Sequence, residues 1–231
     1  MIDGIIFDKD GTLFDFHQSW GGWAARLLSH LSRDTDHARA LGEAIGYDEV
    51  TGTFAANSPV IADTAAEIAE ALLPSLPDMT RSTLLATIND LAANAPMAEA
   101  VPLIPFLRGM RARGLKLGLA TNDTEAPARA HLEAHGIASF FDFVAGYDSG
   151  HGPKPGPGMC LAFAHQLQLD PARVVMVGDS LHDLDAGRAA GMRTVAVLTG
   201  VAGRAELQEH ADIVLANIGG LGAWLDQIRP D

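Results

Sequence analysis

The most constraining feature of this sequence is the alternation of short apolar runs with longer stretches of helical periodicity. Six runs of three to six residues are rich in Ile, Val, Leu and Phe. Strands that alternate with helices predict parallel pairing, because a strand reached through a crossover helix runs in the same direction as its neighbour. The expected strands are 2–7, 115–120, 141–145, 174–177, 194–198 and 213–215.

The stretches between these runs have the periodicity of amphipathic helices. Gly114, Gly136 and Gly191 stand where three of the helices should end, since glycine favours the left-handed conformation that closes a helix. We therefore predict an α/β fold with a doubly wound, Rossmann-like parallel sheet. The expected crossover helices are 103–113, 125–135, 158–167, 181–190 and 205–210.

Residues 16–97 interrupt this rhythm and are expected to form an inserted α-helical domain. The segment is rich in alanine, has helical periodicity at 65–73 and 84–92, and contains no convincing strand. It holds ten acidic residues, four arginines and no lysine. The predicted division is a core domain of residues 1–15 and 98–231 and a helical insert of residues 16–97.

Composition restricts the partners. A net charge of −13 excludes the basic field that nucleic acids or anionic membranes require, so an anionic small molecule would have to be met by a local cation. Cys160 is the single cysteine and is expected to be an inert, buried residue. The N-terminus does not resemble a signal peptide and no run reaches 18 apolar residues, so we expect a cytoplasmic protein, either a monomer or a homodimer.

Polar clusters follow several predicted strands, and this is where open α/β sheets bind ligands. Asp8 and Asp10 follow the first strand, with Lys9 between them. Two carboxylates that are two residues apart on an extended chain lean to the same side. Together with Asp179, which follows another strand, they would repel one another unless a divalent cation and a lysine offset the charge. Mg²⁺ is therefore the expected cofactor.

Four segments together resemble the four motifs of the haloacid dehalogenase-like superfamily, and they occur in the expected order. The insert between the first two motifs is similar to the cap of the phosphoglycolate phosphatase-like and β-phosphoglucomutase-like branch. The four segments are Asp8-Lys9-Asp10-Gly11-Thr12-Leu13, Thr121-Asn122, Lys154-Pro155, and Gly178-Asp179-Ser180 through Asp183.

This resemblance implies a role for each motif residue. Asp8 would be the nucleophile that accepts the phosphoryl group, and Asp10 the acid and base that serves the leaving group and then the attacking water. Mg²⁺ would be bound by Asp8 and Asp179, with the backbone carbonyl of Asp10 as a further ligand and Asp183 in an orienting role. The expected phosphate- or substrate-binding residues are Gly11, Thr121, Asn122, Lys154 and His17.

Several other residues have a structural explanation. Asp183 could also cap the following helix through a capping box with Ser180, and Asp123 is expected to be the N-cap of helix 125–135. His131 and His135 are expected to be exposed rather than a metal pair. Phe16, His17 and Trp20 are candidates for substrate selection, although Trp20 and Trp23 are more typical of cap packing. Lys9 and Phe16 depart from the usual motif at positions that we expect not to touch the core chemistry.

The function implied by the resemblance is an Mg²⁺-dependent phosphomonoester phosphatase that acts on a small phosphorylated metabolite, with 2-phosphoglycolate the best guess. A β-phosphoglucomutase-like enzyme is the alternative. Phosphonoacetaldehyde hydrolysis is disfavoured because the insert lacks a lysine, and dehalogenation because Asp10 would have no task. A phosphorelay-type module or a non-catalytic phosphate-binding protein is the alternative from a different class.

Overall fold

The computed structural model describes residues 2–55 and 57–228. Positions 1, 56 and 229–231, which the predicted domain ranges include, lie outside the described residues. The strands are β1 (Gly4–Phe7), β2 (Tyr47–Asp48), β3 (Thr53–Phe54), β4 (Lys116–Ala120), β5 (Phe143–Ala145), β6 (Val174–Gly178), β7 (Arg193–Val197) and β8 (Ile213–Leu215). The helices are α1 (Phe16–Leu31), α2 (Thr35–Ala44), α3 (Pro59–Ala62), α4 (Ala65–Leu72), α5 (Arg81–Ala93), α6 (Leu103–Ala112), α7 (Glu125–Ala134), α8 (Gly158–Gln166), α9 (Leu181–Ala189), α10 (Arg204–Leu207) and α11 (Leu221–Gln227).

Six strands form one parallel sheet in the order β5-β4-β1-β6-β7-β8. These are the six strands expected from the apolar runs, so the predicted α/β fold is confirmed. The first strand lies at the centre, and β4 and β6 lie on either side of it. From β1 the chain adds β4 and β5 on one side of the sheet and then β6, β7 and β8 on the other side. In open α/β sheets, ligands bind at the point where the strand order switches sides in this way.

The crossover helices also follow the sequence pattern. Helices α6 to α10 coincide with the five predicted stretches to within a few residues. Gly114, Gly136 and Gly191, placed just after α6, α7 and α9, have φ angles of +79°, +65° and +77°, as helix-closing glycines should. The C-terminal helix α11 was not among the predicted elements.

The insert between β1 and β4 contains helices α1 to α5. Its residues 47–54 also form a small antiparallel hairpin of β2 and β3, so the expectation that the insert has no strand is wrong. Each of these strands has two residues, which is too short to leave a period-two pattern in the sequence. The buried face of α1, which includes Trp23 and Leu27, packs into the main hydrophobic core.

None of the described helices is long and apolar enough to cross a membrane. Cys160 is fully buried, and burial raises the pKa of its thiol to about 12, which agrees with an inert, structural cysteine.

Candidate active site

The candidate site lies beyond the carboxyl ends of the three central strands. Phe7, the last residue of β1, is in register with Leu119 of β4 and Val177 of β6. The polar residues that follow these strands therefore lie at the same edge of the sheet. They are Asp8 after β1, Thr121 after β4 and Asp179 after β6.

Lys154 reaches this edge from the loop between β5 and α8. Its Nζ donates to Oδ1 of Asp8 at 2.6 Å and to Oδ1 of Asp183 at 2.6 Å. The Asn122 side chain holds the lysine's backbone, because its Oδ1 accepts from the Lys154 N–H at 2.8 Å and its Nδ2 donates to the Lys154 carbonyl at 3.0 Å. Burial disfavours the ammonium, but Asp183 and Asp8 outweigh it and raise the pKa of Lys154. Lys154 is therefore a fixed positive charge beside Asp8.

Asp8, Asp179 and Asp183 form a buried cluster of carboxylates. One oxygen of each lies within 4.8 Å of an oxygen of the other two. Burial raises the pKa of Asp8 to about 7 against the opposing effect of Lys154, and burial raises the pKa of Asp179 well above its usual value. Oδ2 of Asp179 is buried and has no hydrogen-bond partner among the described residues. Three converging carboxylates, one with an unsatisfied oxygen, fit a hard divalent cation.

Two glycines leave the space that Asp179 occupies. A Cβ atom on Gly11 would lie 2.3 Å from Oδ2 of Asp179, and one on Gly200 would lie 1.6 Å from the same oxygen. Gly11 also has a φ of +81°, a backbone conformation that residues other than glycine rarely adopt. A side chain at either position would displace the carboxylate from the cluster.

A second buried lysine, Lys9, stands between Asp8 and Asp10 in the sequence. Lys9 is fully buried, and its Nζ lies 2.7 Å from Oδ2 of Asp10 and 3.3 Å from Oδ2 of Asp123. The indole Nε1 of Trp20 donates to Oδ1 of Asp10 at 2.9 Å, and the Lys9 ammonium lies 5.1 Å from the centroid of the same indole. Burial disfavours a charged Lys9, but Asp10 and Asp123 outweigh it and raise its pKa. We call Lys9, Asp10, Trp20, Asp123 and His131 the Lys9 cluster.

His131 connects the Lys9 cluster to the insert. Its Nε2 lies 2.7 Å from the carbonyl oxygen of Ala92 in α5, and its Nδ1 lies 3.2 Å from Nζ of Lys9. Because the carbonyl only accepts, Nε2 carries the proton and Nδ1 accepts from the lysine. Burial, followed by the charge of Lys9, lowers the pKa of His131 to about 4. The ring is therefore a neutral link between a core lysine and an insert helix.

A cavity that is partly open to solvent lies above the carboxylate cluster and Lys154. Its floor consists of the polar residues that follow the strands, together with Lys154. Its upper walls come from the insert and are mainly apolar. The insert residues that line it are Trp20, Trp23, Val60, Ile61, Asp63, Ala65, Ile68, Ile88 and Ala92.

Comparison with known protein families identifies the chain. A model of the haloacid dehalogenase-like hydrolase family matches residues 2–191, which is most of the sequence and includes all four motifs. This chain belongs to the haloacid dehalogenase-like hydrolase family. The predicted membership is confirmed, and the enzyme is a hydrolase of this family.

Individual relatives of this hydrolase are named as phosphatases. It is 32% identical to a phosphoglycolate phosphatase of Rhodospirillum rubrum over 100% of this chain and 93% of the relative. It is 31% identical to the probable phosphatase IndB of Dickeya dadantii over 85% of this chain and 81% of the relative. The crystal structure of CbbY from Rhodobacter sphaeroides in complex with phosphate has the same fold, with a TM-score of 0.74, 23% identity, and coverage of 98% and 100%.

The structure brings most of the predicted site residues of this hydrolase to one cavity. Those that line it are Asp8, Asp10, Thr121, Asn122, Lys154, Asp179 and Asp183. The predicted capping box is confirmed, because Oδ2 of Asp183 accepts from the Ser180 backbone N–H at 3.1 Å while its Oδ1 accepts from Lys154. One carboxylate thus caps α9 and contacts the site lysine.

Two predicted substrate-binding residues lie elsewhere. His17 is exposed on the first turn of α1 and does not line the cavity, because the inward face of this helix is formed by Phe16, Trp20 and Trp23. Gly11 also does not line the cavity. Its N–H donates to the Phe14 carbonyl at 2.7 Å, so the turn after β1 already uses this donor.

Lys9 is paired with Asp10, and the expectation that it does not touch the core chemistry stays a prediction. Two interpretations of other residues in the Lys9 cluster are wrong. His131 was expected to be exposed, but it is buried against Lys9. Asp123 was expected to cap α7, but Thr124 is the N-cap and Asp123 turns towards Lys9. The sequence feature that could have revealed this cluster is a lysine directly after a buried strand, because a buried charge requires a partner.

Proposed function

We propose that this hydrolase is an Mg²⁺-dependent phosphomonoester phosphatase that works through an aspartyl phosphate on Asp8. The observation that carries the proposal is the position of the Asp8 carboxylate. It lies at the floor of the cavity, 2.6 Å from the Lys154 ammonium and within the carboxylate cluster of Asp179 and Asp183. Positive charge on both sides of Asp8 would offset its repulsion from the phosphoryl oxygens, which a carboxylate nucleophile requires.

The proposed reaction has two displacements. Asp8 attacks phosphorus, the bond to the leaving oxygen breaks, and a protonated Asp10 donates its proton to that oxygen. Asp10, now ionised, then takes a proton from a water molecule that attacks the phosphorus of the aspartyl phosphate. This second step breaks the bond to Asp8 and releases inorganic phosphate. Both roles require the Asp10 carboxylate to face the cavity, and Asp10 lines it.

Three further residues would hold the phosphoryl group. We assign Lys154 to neutralise charge on the transferring group and on Asp8, because its ammonium is buried and fixed by two carboxylates. The Thr121 hydroxyl and the Asn122 backbone N–H would bind phosphoryl oxygens. Both residues line the cavity directly after β4.

We assign Mg²⁺ to Asp8 and Asp179, with the Asp10 backbone carbonyl as a further ligand and Asp183 in an orienting position. The buried, unpartnered Oδ2 of Asp179 and the raised pKa values of Asp8 and Asp179 support a cation at this place. When bound, the ion supplies positive charge that stabilises the transferring phosphoryl group. Asp183 already uses one oxygen for Lys154 and the other for Ser180, which suits an orienting role.

We propose that residues 16–97 act as a cap over the core of residues 1–15 and 98–231. The insert supplies the upper walls of the cavity, so it would contact the part of the substrate that is not phosphate. The substrate class is a small phosphorylated metabolite. The name of the Rhodospirillum rubrum relative supports 2-phosphoglycolate as the first compound to test.

The experiment measures phosphate release from a panel of phosphorylated metabolites, with and without Mg²⁺. Asp8→Asn is the test variant. Asp36→Asn, a matched change at an exposed carboxylate of α2, is the control. We expect release that needs Mg²⁺, persists in Asp36→Asn and is lost in Asp8→Asn.

Two results would contradict the phosphatase assignment. Transfer of phosphate between sugar positions without release of free phosphate would indicate the mutase, in which the cap excludes water more completely. Bound Mg²⁺ with no turnover of any phosphoester, in protein shown to be folded, would indicate a non-catalytic phosphate-binding module.

A further inference from the structure

The insert makes the upper part of the cavity apolar. Trp23, Val60, Ile61, Ile68 and Ile88 line it above the polar floor. In the proposed reaction the phosphate group binds at the floor, so the leaving group would lie against these side chains. An apolar wall favours a leaving group that has apolar surface to bury.

The cavity offers no second strong cation. Lys154 is the only lysine or arginine among the described residues that line it, and Asp8 and Asp183 already bind its ammonium. The four arginines of the insert lie elsewhere. The contacts are Arg33 with Asp34, Arg39 with Asp36, Arg81 with Glu70, and Arg26 with the Gly22 carbonyl.

The insert instead contributes a negative charge. Asp63, half-buried just after α3, lines the cavity, and its electrostatic neighbours are Glu67 and His182. The groove that continues past Ile61 and His182 adds Glu206. A carboxylate on the leaving group would thus lose its water against apolar walls and be repelled by the charge of Asp63. Both effects weaken binding.

We propose that the substrate is a phosphomonoester whose leaving alcohol has an apolar body and carries no negative charge. This inference rests on the proposed phosphatase function and names its substrate class. It implies that 2-phosphoglycolate is a poor substrate, because its leaving alcohol, glycolate, carries a carboxylate. Asp63 is then a specificity-determining residue, because it disfavours anionic leaving groups while taking no part in bond breaking.

Two synthetic esters of matched shape test this directly. 4-Carbamoylbenzyl phosphate and 4-carboxybenzyl phosphate differ only in whether the group remote from the phosphate is a neutral amide or a carboxylate. We expect kcat/KM for the amide to exceed that for the acid by about tenfold or more, since an unpaired charge is costly to desolvate. Unsubstituted benzyl phosphate should resemble the amide.

The same pair of esters is then measured with Asp63→Asn, which keeps the side-chain shape and removes the charge. We expect the preference for the amide to shrink several-fold, mainly because the acid improves. Asp36→Asn, which removes a charge from an exposed position outside the cavity, should leave the ratio unchanged.

Equal or faster turnover of the acid would overturn the inference. So would a strong preference for 2-phosphoglycolate that is lost in His182→Gln, because His182 would then bind the carboxylate. Either result leaves the phosphatase function standing. Failure of that function has a different signature, which is that neither benzyl ester nor any metabolite releases phosphate.

Discussion

The protein buries two lysines at the same edge of its sheet, and their surroundings differ. Lys154 and Lys9 each lie between two carboxylates, and both have raised pKa values because those carboxylates outweigh burial. The partners of Lys154 are Asp8 and Asp183, on the floor of the cavity. The partners of Lys9 are Asp10 and Asp123, and the cluster continues through His131 to the insert.

The comparison predicts different roles for two similar arrangements of ion pairs. Lys154 places positive charge where the proposed phosphoryl transfer occurs. Lys9 lies beside the proposed acid and base, Asp10, which Trp20 of the insert also contacts. Changes at Lys154 should therefore appear mainly in catalysis, and changes at Lys9 mainly in folding stability.

The largest expected effect is that of Lys154→Met on turnover. Loss of the ammonium removes the charge that offsets Asp8 and the transferring group, so we expect kcat to fall by about a thousandfold. Phosphate release under saturating substrate measures it. Lys116→Met is the matched control, because Lys116 is exposed on the first residue of β4. A decrease of less than about tenfold would contradict the role assigned to Lys154.

Lys9→Met should act mainly on stability. It leaves Asp10 and Asp123 at a buried site without their cation, and breaking a buried pair in this way costs about 4 kcal/mol. Urea unfolding followed by circular dichroism gives the free energy of unfolding. The double variant Lys9→Met/Asp123→Leu should recover part of the loss, because it removes one of the two orphaned carboxylates. An unchanged free energy of unfolding in Lys9→Met would show that the ion pairs of Lys9 do not contribute to stability.

The same contrast explains what the sequence reveals and what it does not. The six strands and the residues that follow them could be predicted because a strand pattern is local and the sheet brings strand ends together. The surroundings of Lys9 could not, because its partner His131 is 122 residues away and depends on how α7 packs against α5. Asp123 was misassigned for the same reason, since an aspartate before a helix is locally a good cap.

His131 gives the Lys9 cluster a measurable pH dependence. Its folded pKa is about 4, against about 6.5 in the unfolded chain, so the unfolded state binds more protons between these values. The stabilisation that comes from keeping His131 neutral is complete above pH 6.5. As the pH falls towards 4, on the order of 3 kcal/mol of it is lost.

Asp8 has the opposite effect on stability throughout this range, because burial raises its pKa from 3.8 to about 7 in the folded protein. The measurement is therefore a difference in unfolding free energy between wild type and His131→Gln at several pH values. Since both proteins retain Asp8, its contribution cancels. A difference that does not decline from pH 6.5 to pH 4 would contradict a buried, neutral His131.

The smallest expected effect is that of Trp20→Phe, which changes the contact between Trp20 of the insert and Asp10. Phenylalanine keeps an aromatic ring beside Lys9 but removes the indole N–H that donates to Oδ1 of Asp10 at 2.9 Å. A hydrogen bond to a charged group contributes about 1.5 kcal/mol, so kcat should fall by about tenfold if the contact positions Asp10. Trp224→Phe in α11, which does not line the cavity, is the control. If kcat is unchanged while KM rises, Trp20 acts on substrate binding alone, and the contact with Asp10 has no part in the proton transfers.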